Sequence, residues 1–176
     1  ARVLGTEHPD YASSLNNRAN LYSSQGLYEK AEPLLVSAKE IRGKVLGKTH
    51  QRYAWSVNNL GNLYMQMGNY EKEEALLMEA LDIKEKVVGK MHPDYAMSLT
   101  NLGTLYTNMK NMDRAETLLL EACTIRSTVL GKEHPEYAIA LENLATLYTT
   151  TGNYQKAEQL LVESTIISEN VLGKEN

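Results

Sequence analysis

The chain has 176 residues, the length of one ordinary domain, and its hydrophobic residues, 43% of the total, suffice for a continuous core. Its formal net charge of −4 provides no basic surface for a phosphate backbone, so we expect no nucleic-acid partner. No apolar run approaches the length of a membrane span, and one cysteine cannot form an internal disulfide. We therefore expect no membrane partner and a reducing, intracellular environment, the cytoplasm.

One pattern of 42 residues occurs four times along the chain, each time with a glycine, a histidine three residues later and two tyrosines. A strict period of this length is typical of stacked supersecondary units, so we predict a single repeat array over residues 1–176. Residues 1–4 and 173–176 match the ends and starts of the repeats, and we interpret them as remnants of flanking repeats. The predicted repeats are 5–46, 47–88, 89–130 and 131–172.

Each repeat contains two runs with the periodicity of a helix, and repeat three illustrates both. His92-Pro93-Asp94 indicates a helix start, and Ala96 and Leu99 begin an apolar face at helical spacing. The pattern breaks near Lys110, where the other repeats have a turn glycine, and a second run continues to Gly131. No segment alternates with a period of two. In chain order we predict a helix A of about 17 residues and a helix B of about 18 in every repeat, and no strands.

A few residues depart from the shared pattern. They are Arg18 in place of leucine, Gln51 in place of the helix-starting proline, Glu73 in place of alanine, and Lys110 and Met112 in place of the turn glycine and tyrosine. The register of Glu73 places its carboxylate against helix A of its own repeat, near Gly61. We therefore expect repeats two and three to be locally looser or specialised.

The motif Leu-x-x-Leu-Gly/Ala-x-Leu-Tyr, followed by Gly-x-Tyr-x-x-Ala-Glu and Leu-Leu-x-x-Ala, resembles the tetratricopeptide repeat. The linking segment Leu-Gly-Lys-x-His-Pro-x-Tyr-Ala is similar to the longer, kinesin light chain type of that repeat. The resemblance covers essentially the whole chain and implies an all-α fold, a right-handed α-solenoid of four stacked antiparallel helix pairs. It also implies close approach of helix A and helix B at small residues, namely Ala19, Gly61, Gly103 and Ala145 against Ala31, Ala115 and Ala157.

In that family helix A lines a concave groove, so the resemblance implies a protein or peptide ligand there. The implied partner-binding residues are Asn16, Asn17, Asn20, Trp55, Asn58, Asn59, Asn62, Met97, Asn101, Ile139 and Asn143. One asparagine column recurs in all four repeats, although asparagine is a mediocre helix residue. Two explanations stay open. Each carboxamide binds a partner's backbone, or each bonds the neighbouring repeat and sets the stacking angle.

A second column, Trp55, Met97 and Ile139, runs beside the asparagines and has the character of an apolar contact stripe. The alternative for Trp55 is that its ring folds against the adjacent helix. The mapped groove residues include no basic side chain, which disfavours the acidic ligands that some members of the family bind. We therefore expect a neutral or mixed ligand with an apolar anchor.

The sequence offers no catalytic constellation, so we expect no enzymatic activity and no cofactor. Each histidine is a whole repeat away from the next, too far to share a metal ion, and we interpret all four as helix-start residues. Cys123 has no base at a defined spacing and is interpreted as a small packing residue. One tyrosine column lies on the core-facing stripe and is expected to pack, namely Tyr22, Tyr64, Tyr106 and Tyr148.

The leading hypothesis is a non-catalytic protein-interaction scaffold, similar to the cargo-binding arrays of kinesin light chains. Two alternatives are a structural or self-assembling spacer and a regulatory array attached to an effector domain outside these residues. The last helix B carries an apolar face with nothing after it in the sequence, from which we expect end-to-end association of this chain.

Overall fold

The computed structural model describes residues 7–174 and contains, within that range, eight α-helices and no strand. The all-α prediction and the helix A and helix B of every repeat are thereby confirmed. The predicted remnant 1–4 lies outside the described residues, as do residues 5, 6, 175 and 176. The helices are α1 (Pro9–Ser24), α2 (Tyr28–Leu46), α3 (Gln51–Met67), α4 (Tyr70–Val88), α5 (Pro93–Asn108), α6 (Met112–Val129), α7 (Pro135–Thr150) and α8 (Tyr154–Lys174).

Every helix A begins at a histidine that caps it, which explains the histidine column. The imidazole Nδ1 accepts a hydrogen bond from the backbone N–H two residues later, at 3.0 to 3.2 Å. The cap satisfies one of the N–H groups that a helix start leaves without an intrahelical partner. His50 forms this cap although Gln51 replaces the proline found in the other repeats, so the proline is not required. The capping residues are His8, His50, His92 and His134.

The chain divides into two compact units, Ala1–Ile83 and Lys84–Asn176, and the division falls within α4. In the first unit α2 packs against both α1 and α3. The apolar cluster there includes Ala19, Ala31, Leu35, Val57, Leu60, Leu63 and Leu76. In the second unit α6 packs against α5 and α7, and α7 packs against α8. Its most buried large side chains include Leu99, Leu102, Leu105, Leu119 and Leu147.

A tyrosine of helix A and a glutamate of the preceding helix B form a hydrogen bond at the repeat junctions inside each unit. The Tyr64 hydroxyl donates to Glu32 at 2.9 Å in the first unit, and the Tyr148 hydroxyl donates to Glu116 at 2.6 Å in the second. Burial, reinforced by the glutamate, raises the pKa of each tyrosine to about 12. We call this pairing the tyrosine–glutamate junction. It confirms that this tyrosine column packs inside the fold at Tyr64 and Tyr148.

Gly103 confirms the predicted close approach between helix A and helix B, whereas Gly61 does not. A Cβ added at Gly103 would lie 2.7 Å from Leu119 Cγ, so glycine is the residue that the packing of α5 on α6 requires. A Cβ added at Gly61 would meet nothing within 4 Å, so the prediction for Gly61 is wrong. Repeat two is also the one in which the larger Glu73 replaces alanine.

Glu73 is buried in the first unit without the partners that a buried carboxylate needs. Its relative exposure is 7%, and its Oε2 atom has no hydrogen-bond partner among the described residues. Burial disfavours the charged form and raises the pKa of Glu73 above its usual value. The folded state therefore carries an electrostatic cost whenever this carboxylate is ionised.

We predict that Glu73→Ala and Glu73→Gln each raise the free energy of unfolding by about 0.5–2 kcal/mol at pH 7. Below the ordinary glutamate pKa both the folded and the unfolded states carry a protonated Glu73, so the gain disappears there. The gain grows as the pH rises through that value and is constant above the raised pKa of the folded state. Thermal melts of wild type and variants at pH 4 and pH 7 measure this difference, and a gain that is equal at both pH values would contradict it.

Lys110 adopts a left-handed backbone conformation that side chains other than glycine rarely take. Its φ is +60°, and it occupies the turn between α5 and α6. The equivalent turn residues of the other repeats are glycines with φ between +66° and +78°, namely Gly26, Gly68 and Gly152. A Cβ in this region costs roughly 1–2 kcal/mol, so repeat three keeps the turn geometry of its neighbours at the expense of strain.

We predict that Lys110→Gly stabilises the second unit by about 1 kcal/mol, because it removes the steric cost and keeps the turn. Lys110→Ala is the matched control, since alanine loses the lysine charge but retains the Cβ and should give no gain. Urea denaturation followed by circular dichroism measures both. Equal stability of the glycine and alanine variants would show that the left-handed backbone is not the source of strain.

Candidate peptide-binding surface

The exposed sides of α1 and α3 form a polar cleft in the first unit. Its volume is about 340 Å³, and its residues are Asn20, Ser23, Ser24, Leu35, Asn59, Asn62, Leu63 and Gln66. The two helices are joined across it by a hydrogen bond from Ser23 Oγ to Gln66 Oε1 at 2.7 Å. Three of the predicted partner-binding asparagines therefore line one cleft. We call the exposed sides of α1 and α3 the amide surface.

Five side-chain carboxamides of the amide surface make no hydrogen bond within the described part of the chain. They are Asn17, Asn20, Asn58, Asn59 and Asn62. Each offers two N–H donors and one carbonyl acceptor to solvent or to a ligand. In the first unit these asparagines therefore do not bond the neighbouring repeat. The second explanation for the asparagine column, a hydrogen bond to the neighbouring repeat, therefore does not hold for Asn17 and Asn59.

Asn16 is the predicted partner-binding residue that the structure places in the interior. It is buried on α1, beside the guanidinium of Arg42. With its carboxamide oxygen toward that guanidinium, it accepts hydrogen bonds from Nη1 at 2.6 Å and from Nη2 at 3.2 Å. Asn16 is thus occupied by an internal contact, and we exclude it from the candidate surface.

Arg42 reaches from α2 to both helices of the amide surface and joins them from below. Nη1 donates to Ser56 Oγ at 2.7 Å and to the Arg52 carbonyl at 3.2 Å, and Nη2 donates to Ser13 Oγ at 3.0 Å. Burial, together with the charge of Arg52, lowers the pKa of Arg42. The sequence predicts no basic residue at the groove, and Arg42 escapes that prediction because it belongs to helix B. A basic residue recurs at the same position as Arg126, which was the available signal.

We predict that Arg42→Met lowers the free energy of unfolding by about 1–3 kcal/mol, because it leaves buried groups such as Asn16 and Ser56 without their partner. Lys44→Met is the matched control, since Lys44 lies on the same helix with an exposed side chain and should change little. Chemical denaturation measures both variants. If the two variants are equally stable, Arg42 does not hold α1 and α3 together.

The exposed sides of α5 and α7 in the second unit have a different chemistry. Asn101 is free of hydrogen bonds to described residues, whereas Asn143 Nδ2 donates to the Ile139 carbonyl of its own helix at 2.8 Å. Threonines fill most other positions and donate to carbonyls one turn earlier, as Thr104 and Thr146 do. Those hydroxyls retain acceptor capacity but have already used their donor, so this surface offers methyl groups and acceptors.

The apolar column remains accessible in both units. Trp55 keeps 52% of its surface exposed, so its ring is not folded away against an adjacent helix. Met97 and Ile139 are similarly exposed on α5 and α7. Side chains of this kind next to polar groups are typical of contact anchors.

Three further features concern metal binding, the reactivity of Cys123 and membrane insertion. No group of three or more histidine, cysteine or acidic side chains in residues 7–174 is placed to hold a metal ion. Cys123 is buried, and burial raises the pKa of its thiol to about 11, the opposite of an activated thiolate. None of the helices that the structure describes is long and apolar enough to cross a membrane.

Comparison with known proteins agrees with the helical pattern. A family model described as tetratricopeptide repeat matches residues 10–86 and 88–169. The chain is similar to the solved structure of nearly identical tetratricopeptide-like repeats, assigned to a kinesin light chain of Podosopora anserina, with 26% identity, a TM-score of 0.82 and coverage of 97% of this chain and 81% of that one. BtubC (BKLC) from P. vanneervenii is 26% identical, with a TM-score of 0.78 and coverage of 98% and 68%.

The apo form of RapI is 16% identical, with a TM-score of 0.75 and coverage of 95% of this chain and 45% of that one, a likeness that shows the fold alone. A search of curated protein sequences finds no match to the chain.

Proposed function

The chain belongs to the tetratricopeptide repeat family, with repeats of the kinesin light chain type, and we propose that it binds a partner polypeptide on its helix A surfaces. Repeats of this family generally bind protein partners and are generally non-catalytic, so the chain is a protein-interaction scaffold. In the first unit the partner binds at the amide surface. The proposed contact residues there are Asn17, Asn20, Asn58, Asn59 and Asn62. Asn101, Asn143, Met97 and Ile139 are the proposed contacts of the second unit.

The observation that carries this proposal is the set of five free carboxamides on α1 and α3. A buried polar side chain usually finds an internal partner, as Asn16 does with Arg42, whereas these five carboxamides are exposed or half-buried and have none among the described residues. A carboxamide that projects from a rigid helix can instead pair with both the N–H and the C=O of a peptide group. An extended segment has these groups free along its whole length, so it suits a row of asparagines.

The ligand that fits the amide surface is neutral, with an apolar side chain at Trp55. Arg42 lies buried beneath the surface, and the exposed Arg52 is paired with Asp10 at 3.2 Å. Few free charges therefore remain to attract an acidic or basic peptide. Binding should depend weakly on ionic strength, unlike association that is driven by a charged groove.

We also propose a cytoplasmic location and no catalytic, cofactor-binding or nucleic-acid-binding role. The support is the net charge of −4 and the buried thiol of Cys123, which suits a reducing compartment. The amide surface contributes neutral hydrogen-bonding groups rather than a nucleophile and its base.

We predict that Trp55→Ala, and separately Asn59→Ala with Asn62→Ala, weaken peptide binding at least tenfold, about 1.4 kcal/mol. The probe is a neutral peptide selected on the wild-type chain from a random display library, and titration calorimetry measures its affinity at low and high salt. The carboxamide variants lose hydrogen bonds to the peptide backbone, and the tryptophan variant loses its apolar anchor.

The matched control is Asn170→Ala, which removes an exposed carboxamide from helix B of repeat four. Wild-type affinity in this control and a full helical circular dichroism signal in all variants show that the loss is local. Unchanged affinity in the Trp55 and asparagine variants would place peptide binding elsewhere. A tenfold or larger loss of wild-type affinity at high salt would show that charges dominate the site.

A further inference from the structure

The turn between α1 and α2 and the end of α3 border a largely apolar pocket at the edge of the amide surface. Its volume is about 420 Å³, and its walls include Leu27, Tyr28, Gln66 and Met67. Tyr28 and Met67 are half-buried against the apolar cluster of the first unit, so the pocket is open to solvent above a packed base. Both of its walls belong to the first unit, between repeats one and two. We call this space the edge pocket.

Leu27 contributes much of the apolar character of the edge pocket, and it departs from the pattern of the other repeats. The equivalent residues, Asn69, Asn111 and Asn153, each accept a hydrogen bond from the backbone N–H three residues later, at 3.2 to 3.5 Å. Leu27 begins α2 without a side-chain cap and keeps 39% of its surface exposed. A helix start without such a cap is less stable, and a residue that breaks a local rule in this way is typical of a functional position.

One stripe of α3 leads from Trp55 to the edge pocket. Four of its residues are spaced at i, i+4, i+7 and i+11, so they lie on one side of the helix. They are Trp55, Asn59, Asn62 and Gln66. The last three line the polar cleft, and Gln66 also borders the edge pocket. The cleft and the edge pocket therefore meet at Gln66.

The Gln66 side chain is held in place where the cleft meets the edge pocket. Its Oε1 atom accepts a hydrogen bond from Ser23 at 2.7 Å, and no described residue accepts one from its Nε2 atom. The two N–H groups of Nε2 are thus available to the carbonyl groups of a peptide that passes from the cleft into the pocket.

The length of the stripe sets the spacing of two apolar contacts along one peptide. Met67 follows Trp55 by twelve positions, which is about 18 Å along the axis of α3 at about 1.5 Å per residue. An extended peptide advances about 3.3 Å per residue and points every second side chain to the same side, so six residues span about 20 Å. Two side chains six positions apart can therefore contact Trp55 and enter the edge pocket together.

The second unit keeps the position of the stripe but lacks the apolar residues at its end. The equivalents of the stripe on α7 are Ile139, Asn143, Thr146 and Thr150. The residue equivalent to Leu27 is Asn111, which caps α6, and the residue equivalent to Met67 is Thr151. An apolar site at this edge is thus a property of the first unit and not of the repeat in general.

We propose that the edge pocket binds a second apolar side chain of the same peptide that contacts Trp55. This inference rests on the proposed function, because it adds an anchor to that ligand. Glu29 and Lys30 border the pocket with opposite charges, so an uncharged side chain complements it. The ligand is a neutral extended segment with two large apolar residues six positions apart. The carboxamides of the stripe bind the backbone between them.

Leu27→Asn tests the edge pocket, because it removes the apolar side chain and supplies the cap that the other repeats have. The probe is the neutral peptide selected on the wild-type chain from a random display library. We expect titration calorimetry to show at least a tenfold weaker affinity in Leu27→Asn, whereas the thermal midpoint by circular dichroism stays equal or rises. Leu120→Asn is the matched control, since it removes a similarly exposed leucine from α6 and should leave the affinity unchanged.

Alanine substitutions in the selected peptide assign the loss to a contact. One apolar residue of the peptide should lose its effect on affinity in Leu27→Asn, and another, six positions away, should lose its effect in Trp55→Ala. Each such pair is non-additive because the two partners contact each other.

Wild-type affinity in Leu27→Asn together with a tenfold loss in Trp55→Ala overturns this inference and leaves the proposed function standing. A loss in Leu27→Asn that is equal for every alanine form of the peptide also overturns it, because that result indicates a change of fold rather than a lost contact. If neither substitution changes the affinity, or if the library yields no peptide, the proposed function fails as well.

Discussion

Within each unit the fold depends on the packing of a helix B between two helix A neighbours, because a single helix pair cannot bury both of its faces. In the first unit α2 packs against α1 and α3, and Leu35 belongs to the same apolar cluster as Leu60 and Leu63. The tyrosine–glutamate junction adds a directional contact at the same interface. This arrangement uses the inner sides of helix A for packing and leaves the opposite sides free to carry polar residues that the fold does not need.

The helices and their order could be predicted from the sequence because apolar periodicity and the 42-residue repeat reflect the same packing in all four repeats. The capping role of the histidines was less accessible, since it depends on the Nδ1 atom meeting a backbone N–H. The burial of Asn16 and the reach of Arg42 could not be predicted, because periodicity assigns a residue to a helix face but does not show where a long side chain ends. The space beside Gly61 is likewise a property of how two helices meet, which no single residue reveals.

The helix A surfaces of the two units have diverged within one scaffold. The first unit presents carboxamides with unused donors and acceptors on α1 and α3, and Arg42 forms hydrogen bonds to both of these helices. The second unit replaces most of them with threonines that donate to their own helix, as Thr104 does. The two surfaces differ in their unused hydrogen-bond donors, which the first unit has and the second mostly lacks. The chemistry of the first unit therefore complements a peptide backbone, and that of the second complements a ligand with donors or apolar groups of its own. The repeat therefore preserves the packing while its exposed positions differ in chemistry between the two units.

The most direct test of this account is nuclear magnetic resonance of the side-chain carboxamides while a selected neutral peptide is added. The account predicts that the NH₂ signals of Asn17, Asn20, Asn59 and Asn62 shift together with the indole N–H of Trp55 and saturate at one affinity. The Asn16 signal, held against Arg42, and the Asn170 signal on α8 should stay in place. Shifts confined to residues of the B helices, α8 included, with no change at Asn17, Asn20, Asn59 and Asn62, would contradict this expectation.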